Sequence, residues 1–117
     1  MNLEAYRKYC LAKKGVTEEF PFGEQTLVYK VSGKMFALTQ VDEFSSINLK
    51  CDPEVGVELR ERYRAVQPAY HMNKNHWITV LIDGTIKDPL ILAWIDVSYS
   101  LVVGGLSKSD KLALDSL

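Results

Sequence analysis

Apolar positions near the start of the chain recur at helical spacing. Leu3, Tyr6, Cys10 and Leu11 make one stripe within residues 2–13. Asn2 suits the N-cap, Lys13 and Lys14 suit the negative end of the helix dipole, and Gly15 ends the helix. Residues 17–23, punctuated by Pro21 and Gly23, read as a loop. The pattern then turns to strands. Residues 27–31 are mostly β-branched, aliphatic or aromatic, Ser32-Gly33 is a two-residue turn signal, and residues 34–41 return. Residues 42–45 make a second turn. Residues 46–51 alternate, with Ile47, Leu49 and Cys51 on one face and Ser46, Asn48 and Lys50 on the other.

Asp52-Pro53-Glu54 opens a second helix: Asp caps, Pro fits the first turn, and Glu favours the positive end. Val55, Leu59 and Tyr63 keep a spacing of four, while Arg60, Glu61, Arg62 and Arg64 read as solvated. Gln67-Pro68 closes the unit. Residues 77–82 are apolar on both faces apart from Thr79, as expected of a central, covered strand. Asp83-Gly84 is a turn. Asp88-Pro89 repeats the helix-start signal, and a long helix runs to about Val103. Leu90, Ala93, Trp94, Val97 and Leu101 are its expected core stripe, widened by Ile91, Ile95 and Val102. Ser107 caps a last short helix, with Asp110 at its third position. The order α-β-β-β-α-β-α, with room for a short strand before Trp77, predicts one α+β domain over residues 1–117. Its helices would cover an antiparallel sheet.

Composition narrows the function. Fourteen Lys and Arg against fifteen Asp and Glu give a net charge of -1. That excludes nucleic-acid binding by bulk charge but leaves a local basic patch open. The most apolar run, Leu90 to Val103, is too short for a bilayer and is broken by Asp96, Ser98 and Ser100. No leader-like apolar segment follows the N-terminus, so a cytoplasmic setting without membrane contact is expected. Cys10 and Cys51 are expected to be free thiols.

Residues 68–77, Pro-Ala-Tyr-His-Met-Asn-Lys-Asn-His-Trp, gather both histidines of the chain with a lysine, two amides and two aromatics. Such a set offers stacking surface, donors and a cation together. The same residues equally suit a pinned turn, with Asn73 and Asn75 bonding the backbone and Tyr70 and Trp77 plugging the core edge. His71 and His76 stand five apart, not the three or four of a helical metal pair, and no Cys or acidic pair completes a ligand set. No nucleophile elbow, P-loop or dinucleotide fingerprint occurs, so neither enzyme chemistry nor a cofactor is expected. Local cations are Arg60, Arg62, Arg64 and Lys74 against Glu61, and Lys30 with Lys34 flank the Ser32-Gly33 turn.

Five segments together resemble the MmcQ/YjbR family: residues 21–23, 29–37, 49–54, 68–77 and 98–102. The run from Pro68 to Trp77 is the most specific of them. The resemblance implies an α-β(3)-α-β(2)-α two-layer sandwich like the secretion chaperones, a bacterial origin and a cytoplasmic setting. Members carry a DNA-binding label through a "double wing" arrangement, and the family brings no established catalytic residues. Three readings follow. In the first, a DNA-binding protein meets phosphates with Lys30, Lys34, Lys50, Arg64 and Lys74, and bases or sugars with Tyr70, His71, Asn73 and His76. In the second, a protein-interaction or chaperone-like adaptor uses the sheet face. In the third, a small ligand sits around His71 and His76. A monomer is favoured.

Overall fold

The computed structural model describes residues 1–117. Helix α1 (Leu3–Leu11) starts where expected: the Asn2 Oδ1 accepts the Ala5 N–H at 2.8 Å. It buries Tyr6 and Cys10. The chain then reverses through Gly15, whose φ of +73° is left-handed. There follow β1 (Val16–Glu19), β2 (Thr26–Val31), β3 (Lys34–Gln40), β4 (Ser46–Lys50), α2 (Pro53–Arg62), β5 (Val66–Pro68), β6 (Trp77–Leu81), α3 (Asp88–Gly104) and α4 (Lys108–Asp115). The six strands form one sheet in the order β1-β2-β3-β4-β6-β5, every neighbouring pair antiparallel. The fold is α+β, with two layers.

The β2–β3 turn has positive φ at both central residues, Ser32 (49°) and Gly33 (77°), as a two-residue hairpin requires. The short strand left open before Trp77 is β5.

Strand β1 corrects the expected loop over residues 17–23. Its sequence, Val-Thr-Glu-Glu, has no apolar alternation, so its pairing with β2 and its side-chain ties decide it. Arg7 of α1 reaches Glu18 at 2.6 Å, the Tyr29 hydroxyl donates to Glu18 at 2.9 Å, and Lys30 pairs with Glu19 at 3.3 Å.

All four helices lie on one side of the sheet. Leu27, Tyr29, Val31, Ala37, Ile47, Leu49, Ile78 and Val80 point from the strands into a core shared with Tyr6, Cys10, Ile91, Ile95 and Leu114. Helix α3 crosses β2, β3 and β4, and two expectations about it are corrected. Its N-cap is Lys87, without a side-chain bond, and Asp88 and Pro89 already lie inside the first turn. The face it buries is Ile91, Ile95, Ser98 and Val102; Val97 (49 %) and Leu101 (36 %) of the expected stripe face solvent, as does Ala93. A helix apolar on most sides gives periodicity little to choose between. The sheet chooses instead, and it chooses the face holding Ser98. The Ser98 hydroxyl donates to the Phe36 carbonyl at 2.5 Å and accepts the Lys50 N–H at 2.8 Å. These groups lie just past the last β3–β4 pair, Ala37–Leu49, beside the register shift between Tyr29 and Lys30. The serine thus completes a ladder that the irregularity interrupts.

Arg60, read as solvated, is half-buried, and its Nη1 is enclosed without a partner. No helix is long and apolar enough to cross a membrane.

Candidate functional site

The other side of the sheet carries no helix, and the strand register shows what it presents. One row runs across all six strands as Glu19, Val28, Leu38, Asn48, Thr79 and Gln67. Toward the β2–β3 turn the same face carries Lys30, paired with Met35, and Lys50, paired with Trp77. Toward the opposite end, Thr26 pairs with Gln40 and Ser46 with Leu81.

Two loops stand over this face and make it a cleft of about 550 Å³. Phe22 comes from the β1–β2 loop; Tyr70, His71 and Met72 come from the β5–β6 loop. Phe22, Met35, Leu38, Tyr70 and Met72 supply an apolar lining, and His71 adds an imidazole. Thr26, Gln40, Ser46, Asn48 and Thr79 supply hydroxyls and amides. No Asp, Glu, Lys or Arg lines the cleft. Two amide–hydroxyl pairs organise the polar wall: Asn48 Nδ2 donates to Thr79 Oγ1 at 2.9 Å, and Gln40 Nε2 donates to Thr26 Oγ1 at 3.0 Å. Each pair leaves an amide oxygen to accept and a hydroxyl hydrogen to donate.

The β5–β6 loop is pinned at both ends. Ala69 is fully buried, and the His76 carbonyl accepts the Cys51 N–H at 2.8 Å. Between them, Asn73 Oδ1 accepts the Asn75 N–H at 2.9 Å. Asn73 therefore holds the turn, as its alternative reading has it, and its oxygen is occupied locally. Tyr70 is 68 % exposed at the cleft mouth, and the Lys74 ammonium lies 5.7 Å from its ring centroid.

The sequence candidates are thus only partly gathered. Tyr70 and His71 line the cleft; Lys74 stands beside Tyr70 at its mouth, and Lys30 and Lys50 share its sheet face by register; Asn73 and His76 lie in the loop without lining it. Lys30 is tied to Glu19, whose carboxyl is held below its usual range by the Thr17 hydroxyl and by Lys30 itself. Lys34 is exposed at the hairpin turn, paired with Val31, and so belongs to the helix side by register. Arg64 precedes β5 at the far end of the sheet. The five proposed phosphate contacts therefore do not form one patch. Sequence reasoning missed Phe22, Met35, Gln40 and the Asn48–Thr79 pair. The polar face of residues 46–50 was visible in the alternation, and an aromatic set between Pro21 and Gly23 was the signal for Phe22.

Neither thiol is poised for chemistry. Burial pushes Cys10 up to about 12, and burial also raises Cys51 against the opposing pull of Arg60. No group of three or more His, Cys, Asp or Glu is placed to hold a metal ion.

The family profile described as YjbR matches residues 11–101. The chain belongs to the YjbR family. Its relatives include the uncharacterized protein YjbR of Escherichia coli K12, 31 % identical over the full length of both chains. Another is the uncharacterized protein YbdF of Escherichia coli O157:H7, 40 % identical over 79 % of this chain and 76 % of its own. Among solved structures, a DUF419-domain protein of Deinococcus radiodurans superposes with a TM-score of 0.91. It is 36 % identical, covering 97 % of this chain and 88 % of that one. A Pseudomonas syringae protein gives 0.73 at 31 % identity, over 86 % of this chain and 98 % of its own. The matched span of this YjbR-family chain runs from the end of α1 into α3 and so contains every residue lining the cleft.

Proposed function

We propose that this YjbR-family protein is a non-enzymatic nucleic-acid-binding protein that works through the open face of its sheet. The observation that carries the reading is the division of chemistry on that face. Aromatic, amide and hydroxyl groups line the cleft, and the lysines Lys30, Lys50 and Lys74 stand at its border. Bases stack on aromatic rings and bond to amides, whereas phosphates need cations that water can still reach. DNA is the ligand in the first instance, with Lys34 and Arg64 outside the interface.

Fluorescence-anisotropy titration with labelled DNA at two salt concentrations tests this. Saturable binding that weakens with salt, and drops several-fold in Lys50→Glu and Lys74→Glu but not in Arg64→Glu, is the expected result. Equal loss from Arg64→Glu, or no binding at low salt, defeats it. A second reading, a free small ligand, is favoured by the cleft's size alone, which falls within the usual range of small-ligand sites.

A further inference from the structure

We infer that the cleft seats one unpaired nucleobase, so that the protein takes single-stranded rather than duplex nucleic acid, with the Asn48–Thr79 pair reading the base edge. This rests on the nucleic-acid reading above and names what part of the ligand enters the cleft.

The argument is one of elimination by lining. An anionic group, whether phosphate or carboxylate, finds no Lys or Arg inside, and the one imidazole of the lining, His71, stands exposed on the β5–β6 loop. A lipid chain would meet a wall of which Thr26, Gln40, Ser46, Asn48 and Thr79 form the polar part. An extended peptide is recognised through main-chain bonds, and here the cleft floor is a sheet face whose main-chain groups are spent on the neighbouring strands. What remains is a flat, uncharged heterocycle with donors and acceptors on its rim. Phe22 and Tyr70 offer rings, and Met35 and Met72 offer polarisable thioethers. Asn48 and Thr79 keep a free acceptor and a free donor because they satisfy each other once. A base in a duplex is stacked and paired and cannot lie flat in such a site.

Phosphates are then left outside. Lys74 is held at the mouth by the Tyr70 ring, and Lys50 lies two residues along β4 from Asn48 on the same face.

The test compares three labelled probes against the intact protein: a mixed-sequence single strand, the same strand built of abasic sites, and the duplex. The abasic strand keeps every phosphate and loses every base. The intact single strand is expected to bind at least about tenfold more tightly than either other probe, in keeping with base–aromatic stacking. Tyr70→Ala is expected to lose about tenfold on the intact strand and only the smaller loss from releasing Lys74 on the abasic one, while Tyr70→Phe keeps both the stack and the ring beside Lys74. Tyr70 is exposed, so these variants fold. Asn48→Leu is expected to alter the preference among homopolymer strands. Equal binding of intact and abasic strands overturns the inference and leaves nucleic-acid binding through phosphates standing. Preference for the duplex does the same. Failure of all three probes overturns both.

Discussion

Ser98 is the residue on which the two layers most depend relative to its size. It is wholly buried in the middle of α3 and satisfies one carbonyl and one N–H of different strands. Alanine there removes one hydroxyl and strands both groups away from water. An unsatisfied buried polar group costs about 1–3 kcal/mol. Ser98→Ala is therefore expected to lower stability by about 2–3 kcal/mol, read as a lower urea midpoint with an unchanged slope. Ser100→Ala, two residues along on the exposed side, is expected to stay within about 0.5 kcal/mol. A loss at Ser98 no greater than at Ser100 defeats the claim. The contrast also shows what a sequence can tell. The caps Asn2, Asp52 and Ser107 were legible, and each accepts the expected N–H from Ala5, Glu54 or Asp110. A cap is a bond within three residues. The partners of Ser98 are 48 and 62 residues away, and nothing local marks them.

Among elements, those with a period, a cap or a turn signal of their own were legible: α1, the β2–β3 hairpin, β4, α2 and α4. Strand β1 was not, because its strand character comes from a neighbour and from Arg7, not from its own residues. The direction of α3 was not either, since an all-round apolar helix takes its orientation from what it lies on. The cleft escaped for a related reason: Phe22, Gln40, Asn48 and Tyr70 meet only after six strands have set their register. A cluster joining α1 to α3 gives an element-scale prediction. Asp96 accepts from the Tyr9 hydroxyl at 2.7 Å and from Lys13, whose ammonium lies 5.0 and 5.2 Å from the Tyr9 and Tyr99 ring centroids. Burial alone would raise the Asp96 carboxyl, but the Lys13 and Tyr9 bonds outweigh it and bring it below its usual value. The unfolded chain then holds this proton more tightly, so the contribution to stability is present above the unfolded aspartate value of about 3.9 and is lost as pH falls through the lower folded value. Asp96 is half exposed, so the effect is small. Asp96→Asn is expected to cost about 0.5–1 kcal/mol at pH 7, with the gap to wild type narrowing below about pH 4. Urea midpoints at pH 7, 5 and 3 measure it, and a gap that stays constant to pH 3 would show that the carboxylate charge plays no part.

At the scale of the whole molecule the governing quantity is charge, and it limits how nucleic acid can be held. The net charge of -1 supplies no long-range attraction. Binding must draw on the three lysines at the cleft border and on the aromatic, amide and hydroxyl lining between them. Each phosphate neutralised on a single strand releases about 0.7 counterion, so Lys50 and Lys74 alone give a slope of about -1.4 for log K against log salt, and all three lysines give about -2. Lys30 is already engaged by Glu19, so its share is reduced in the native protein. Glu19→Gln keeps the Thr17 partner in reach and frees the lysine. This variant is expected to bind a labelled single strand more tightly at low salt and to steepen the slope by about 0.7, the weight of one further phosphate. The strand edge stays covered because Glu18, not Glu19, carries the ties to Arg7 and Tyr29. An anisotropy series at four salt concentrations, wild type beside Glu19→Gln, reads both numbers. A wild-type slope steeper than about -4 would require more cations than this face holds and would move the interface to the helix side, with Lys34. A slope near zero would mean that uncharged contacts alone hold the strand, with the lysines bordering the cleft without touching phosphate.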